Sequence, residues 1–156
     1  VIKPIANPDD LPFVDVHRVT VAAPTAVVWR ALVDVLDRSR LTGGGAYVAV
    51  VRGEPRRAAG RFPDEGATVP GFAVERAEEG RLLRLAGRHA FSRYAFTFAL
   101  AEEGGGTVLS ARTDAAFPGL AGRAYRAAVI GSGGHRILVN RLLRAVRRHA
   151  ERRDVH

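Results

Sequence analysis

His89, Tyr94 and His135 are the side chains best suited to acid–base chemistry, and Thr113 and Tyr125 are further polar candidates. Histidine is the natural general base near neutral pH, and a tyrosine hydroxyl can polarise a carbonyl by donating a hydrogen bond to it. His89 with Tyr94, or His135 with Tyr125, would suit proton removal beside a carbonyl. Each histidine also has a plain structural reading. A strand-end histidine is ordinarily solvated, and one on the inner stripe of a helix is ordinarily a hydrogen-bonded core residue. Metal chemistry is not expected: His17, His89, His135, His149 and His156 are not closely spaced, and no His-Glu-x-x-His occurs. The absence of cysteine removes disulfides and thiolate ligands. Glu78 with Glu79, and Glu102 with Glu103, fall in turns and do not read as an acid/base pair.

The glycines of "AVIGSGGHRILVNRLLRAV", residues 127–145, raise the question of a phosphate-binding loop. A dinucleotide fingerprint needs a third glycine where Arg136 stands, and the phosphate-loop ending Gly-Lys-Ser/Thr is missing. Gly-x-Ser-x-Gly fails as well, because Ser132 is flanked directly by Gly131 and Gly133. No nucleotide or other cofactor is therefore expected. A helical reading fits better. Ala121, Ala124, Ala128, Gly131, His135, Leu138, Leu142 and Val146 recur every three or four residues, with Arg123, Arg126, Arg141, Arg144, Arg148 and Arg152 opposite. This predicts one long, kinked helix over 120–152, thinned at 131–134 on its inner side so that a ligand or backbone can approach.

The elements that must position these groups follow from periodicity. Residues 14–22 alternate as a strand. Pro24 suits the first turn of a helix carrying Val28, Leu32, Val35 and Leu36. "LTGGGA" ends that helix, and 46–52 read as a second strand. A Gly- and Pro-rich connection leads to a meander of strand-length runs separated by short polar steps, the grammar of antiparallel hairpins. The order predicts an α+β domain. Along 92–100, Tyr94, Phe96, Phe98 and Leu100 share one face. On the neighbouring runs Leu83, Leu85 and His89 share a face, as do Leu109, Ala111, Thr113 and Ala115.

The opening "VTVAAPTAVVWRALVDV", the central "GRHAFSRYAFTFAL" and the terminal amphipathic helix resemble the SRPBCC superfamily, the START and pollen-allergen-like proteins, over about residues 14–152. The nearest likeness is to bacterial members of polyketide cyclase/dehydrase type. The resemblance implies a helix-grip fold: a curved antiparallel sheet of about seven strands around a long C-terminal helix, with two short helices after the first strand. It implies a lead-in at 1–13 and one domain at 14–153. It also implies a cavity between sheet and helix for a lipid- or polyketide-like molecule. Phe72, Leu85, Phe96, Phe98, Leu109 and Leu138 would supply its apolar lining. His89, Tyr94, Thr113, Tyr125 and His135 would be its polar points, and Gly131 its place of close approach. Two functions then stand side by side. One is binding of a small hydrophobic or amphipathic ligand; the other is cofactor-free cyclase, aromatase or dehydratase chemistry through His89, Tyr94 and His135.

The 156 residues, 47% hydrophobic, suffice for one core without staples. No apolar run reaches the roughly 18 to 20 residues that span a bilayer, and no signal peptide is visible, so a cytoplasmic protein is expected. The formal charge of +8 is uneven. Residues 1–117 carry 15 basic against 14 acidic side chains, whereas 118–156 carry 9 against 2. That basic segment gives a third reading, contact with nucleic acid or anionic membrane, against the plainer one of a solvated helix face.

Overall fold

A computed structural model describes residues 11–39, 53–55 and 57–155. Six strands form one antiparallel sheet: β1 (Phe13–Val21), β2 (Thr68–Val69), β3 (Phe72–Glu78), β4 (Leu82–His89), β5 (Ser92–Glu103) and β6 (Gly106–Ala116), in the order β1-β6-β5-β4-β3-β2. From β3 to β6 every strand pairs with its successor through a short turn, and β1 closes against β6. The predicted strand at 46–52 lies outside the described residues, as does the helix-ending segment before it, so the count of six applies to the described residues. Bulges interrupt the pairing at Phe13/Asp15 in β1 and at Val74/Arg76 in β3, where the extra residue bends the strand.

Among the described residues three α-helices accompany the sheet: α1 (Thr25–Ser39), α2 (Gly119–Arg126) and α3 (Gly134–Asp154). The carbonyl of Pro24 starts α1 by accepting hydrogen bonds from the N–H groups of Val27 and Val28. Along α1, Val28, Trp29, Ala31 and Leu32 are buried against the inner face of the sheet and α3. Trp29 is thus a packing residue. Leu83, Leu109, Leu143 and Val146 complete the middle of the core, each worth about 1.5–3 kcal/mol in burial. The far end of α3 is tied down by polar contacts. Asp34 on α1 meets His149 Nε2 at 3.3 Å and Arg153 at 3.0 Å, and the N–H of Ala22 donates to Glu151 at 3.1 Å.

The long C-terminal helix is broken, not merely kinked. After α2 the chain passes through a five-residue π turn, Ala127–Gly131, and then Gly133 at φ +80° caps the start of α3. A residue in the left-handed region cannot sit inside a right-handed helix, and the π turn shifts the rotational phase as well. The single stripe predicted from 121 to 146 is therefore split. Ala121, Ala124, Ala128 and Gly131 are exposed; in their stretch Gly122 is buried and Tyr125, Val129 and Ile130 are half-buried. Beyond the break, His135, Leu142 and Val146 do turn inward, joined by Val139, Leu143 and Ala150. The predicted arginine face lies outward throughout: Arg123, Arg126, Arg141, Arg144, Arg148 and Arg152 are all exposed.

Candidate functional site

Between the sheet and the C-terminal helices lies a cavity of two adjoining lobes. The lobe beside α2 and the π turn has a volume of about 620 Å³ and the lobe beside α1 about 410 Å³. Pro70, Phe72, Phe96, His135 and Leu138 line both. Alternation explains the sheet side. Even-numbered residues of β5 and odd-numbered residues of β4 and β6 point inward, so the apolar face recognised in the sequence becomes the wall.

Most of the predicted lining residues come together here. His89, Tyr94, Thr113 and Tyr125 line the α2-side lobe, and Leu85 and Phe98 line the α1-side lobe. Two do not. Leu109 is fully buried in the core and lines neither lobe, because its position on β6 falls beneath α1 and α3 rather than under the gap. Gly131 faces outward, with nothing within 4 Å of where a Cβ would stand. The π turn rotates it away, and Gly134 takes the lining position instead. Sequence reasoning also missed Asp15, His17 and Ser92. The same alternation along β1 that places Val19 and Val21 inward places Asp15 and His17 inward too, which was the available signal.

The polar groups on the wall differ in what they have left to offer. His89 Nδ1 accepts the N–H of Phe91 at 3.0 Å, and its Nε2 lies 3.1 Å from the Ser92 hydroxyl. The Nδ1 contact requires a lone pair there, so the ring is neutral with its proton on Nε2. Burial pushes the His89 pKa below its ordinary 6.5 for the same reason: the charged ring would lose water without gaining a partner. Tyr94 donates its hydroxyl proton to the carbonyl of Gly71 at 2.7 Å and so anchors the turn between β2 and β3. His135 differs. Its Nε2 lies 3.0 Å from Thr113 Oγ1, and among the described residues Nδ1 has no hydrogen-bond partner. The ring is stacked on Phe96 at 5.9 Å and 20°, which fixes its plane.

Aromatic rings dominate the rest. Phe72 packs edge-on to Tyr94 at 5.4 Å and tilted to Phe96 at 5.6 Å. Tyr125 is 4.7 Å from His89 and stacked on Phe91 at 5.3 Å, closing the α2 end. Such a chamber, apolar with a few convergent polar groups, has the general form of a small-molecule pocket. Among the described residues no group of three or more His, Asp or Glu side chains is placed to hold a metal ion. Nor is any helix among them long and apolar enough to cross a membrane.

Residues 15–151 match the protein family described as polyketide cyclase/dehydrase and lipid transport. The chain belongs to that family. The SRPBCC resemblance read from the opening strand and helix is therefore correct. No curated protein matches the chain. Among solved structures, the solution structure of the KanY protein is similar with a TM-score of 0.57 and 16% identity, covering 87% of this chain and 95% of that one. CalU16 from Micromonospora echinospora has a TM-score of 0.50 and 18% identity, over 87% and 82% of the two chains. Ara h 8.0201 has a TM-score of 0.50 and 12% identity, over 87% and 95%. At these identities the likeness establishes the fold, the sheet gripping its C-terminal helix, which this polyketide cyclase/dehydrase-type chain shares.

Proposed function

We propose that this member of the polyketide cyclase/dehydrase family binds a small ring-bearing apolar molecule across the two lobes, oriented by one oxygen against His135 and Thr113. The carrying observation is the contrast within the wall: rings of Phe72, Tyr94, Phe96 and Phe98 on the sheet side, facing His135, whose Nδ1 has no hydrogen-bond partner among the described residues. Each Å² of apolar ligand surface removed from water contributes about 25 cal/mol. That gain is opposed by the cost of association, so shape and the polar contact set selectivity. Native mass spectrometry of freshly purified protein identifies a molecule carried from the cell, and β-naphthol fluorescence serves as a probe of the empty chamber. Phe96→Ala should weaken β-naphthol binding about tenfold. Binding indifferent to Phe96 would place the ligand elsewhere and overturn the proposal.

Catalysis is the second reading, favoured by one observation. Of His89, Tyr94 and His135, the first has both ring nitrogens engaged and the second has its proton given to Gly71, whereas Nδ1 of His135, on the chamber wall, has no hydrogen-bond partner among the described residues. Acid–base chemistry on a polyketide-like substrate therefore falls to His135. Turnover lost in His135→Gln with ligand affinity retained distinguishes catalysis from binding alone.

A further inference from the structure

One rung of the sheet carries a carboxylate, a hydroxyl and an aromatic ring in a row. Asp15 on β1 stands opposite Thr113 on β6, and Thr113 stands opposite Phe96 on β5. His135 lies over all three. Besides its stack on Phe96 and its 3.0 Å contact with Thr113, its Nε2 is 3.5 Å from Asp15 Oδ1. The other carboxylate oxygen, Oδ2, is 3.1 Å from His17 Nε2. Asp15 Oδ1 is enclosed and accepts no hydrogen bond. An enclosed carboxylate oxygen without a donor is costly, which favours a protonated nitrogen over a lone pair beside it.

This arrangement selects a tautomer. A lone pair on Nε2 would face a negative oxygen, whereas a proton there faces it favourably and still reaches Thr113. On this reading the proton sits on Nε2, 3.0 Å from Thr113 Oγ1, and the lone pair falls on Nδ1, which has no hydrogen-bond partner among the described residues. A base oriented by a carboxylate, itself held by a third group, is the general design of an activated acid–base centre.

We infer that His135 is a catalytic base toward a ligand with an enolisable carbonyl, that Asp15 is the positioning residue fixing its tautomer, and that His17 holds Asp15 in place. The inference rests on the cavity reading above and deepens it. In the step, Nδ1 takes a proton from the carbon beside the carbonyl. The C–H electron pair becomes the enolate C=C bond, and the carbonyl π pair moves to oxygen. The resulting imidazolium is stabilised by Asp15, and its proton is returned to carbon or passed to oxygen. No further reactant is needed.

Nitrogen NMR of the ring in ligand-free protein tests the tautomer without any substrate. Neutral His135 should carry its proton on Nε2, and Asp15→Asn should abolish that preference. Exchange of the α-hydrogens of β-tetralone in heavy water then tests the base. The expected results are exchange above the buffer rate, a fall of about 10²-fold or more in His135→Gln, and a fall of about tenfold or more in Asp15→Asn. A proton on Nδ1 in the unmodified protein, or exchange unaffected by Asp15→Asn, overturns the inference. Competition of β-tetralone with β-naphthol separates the two claims. Binding without exchange removes the base and leaves the chamber. Absence of binding removes the chamber reading and with it the base, while the tautomer still decides Asp15.

Discussion

The hydroxyl of Tyr94 donates to the carbonyl of Gly71 at 2.7 Å, directly over the backbone of Gly87 on the paired strand. A Cβ at position 87 would stand 2.0 Å from that carbonyl oxygen and 2.9 Å from the tyrosine oxygen. The wall of the α2-side lobe is thus closed by a backbone segment resting on a strand with no side chain at that point. Gly87→Ala must displace the turn, because the obstacle is backbone and not a flexible side chain. A loss of about 1–3 kcal/mol is expected, and Tyr94→Phe should lose about 1 kcal/mol. Urea unfolding midpoints check both.

The depressed pKa of His89 makes stability pH-dependent. Between the ordinary value of 6.5 and its lower folded value, the unfolded chain binds more protons than the folded one. The contribution of His89 is therefore fully present above 6.5 and is lost as pH falls through that window. Thermal midpoints of His89→Gln should decline less steeply on acidification than those of the unmodified protein. Parallel declines would remove His89 as the cause.

Leu138 and Leu143 lie on the same helix but do different work. Leu138 lines both lobes with 65% of its surface exposed, whereas Leu143 is 1% exposed in the core. Leu143→Ala should cost about 2–5 kcal/mol of stability. Leu138→Ala should change stability by within about 0.5 kcal/mol and act instead on β-naphthol affinity. Fluorescence titration beside urea unfolding reads the two effects separately.

The two glycines at the helix break are distinguished by conformation. Gly133 at φ +80° is in the region where a Cβ is strained, so Gly133→Ala should destabilise by about 1 kcal/mol or more. Gly131→Ala adds a methyl group to open space and should leave both stability and ligand affinity nearly unchanged. Circular dichroism melts and the same fluorescence titration follow both variants.

Strand periodicity carried the reading of the cavity wall, because alternation is a local rule: Tyr94, Phe96 and Phe98 had to share a face once 92–100 was a strand. Helical phase is less secure. The stripe drawn through Gly131 assumed an unbroken helix, and one left-handed residue with one π turn sufficed to rotate Ala121, Ala124 and Gly131 outward while His135, Leu142 and Val146 stayed in place. Asp15 escaped notice for another reason. Its significance depends on a partner 120 residues away, and no local pattern reveals that a carboxylate on the first strand meets a histidine on the last helix. Leu109 was assigned to the right face of β6, but face alone does not say where along a strand the core ends and the chamber begins.

The claim that the space between sheet and helix receives an apolar ring is tested most directly by NOE spectroscopy of β-naphthol with the protein. Cross-peaks from the naphthol ring to the side chains of Phe72, Phe96 and Leu138 are predicted, since these line both lobes. Cross-peaks confined to exposed positions such as Leu120 or Val155, with none to Phe96, would contradict it.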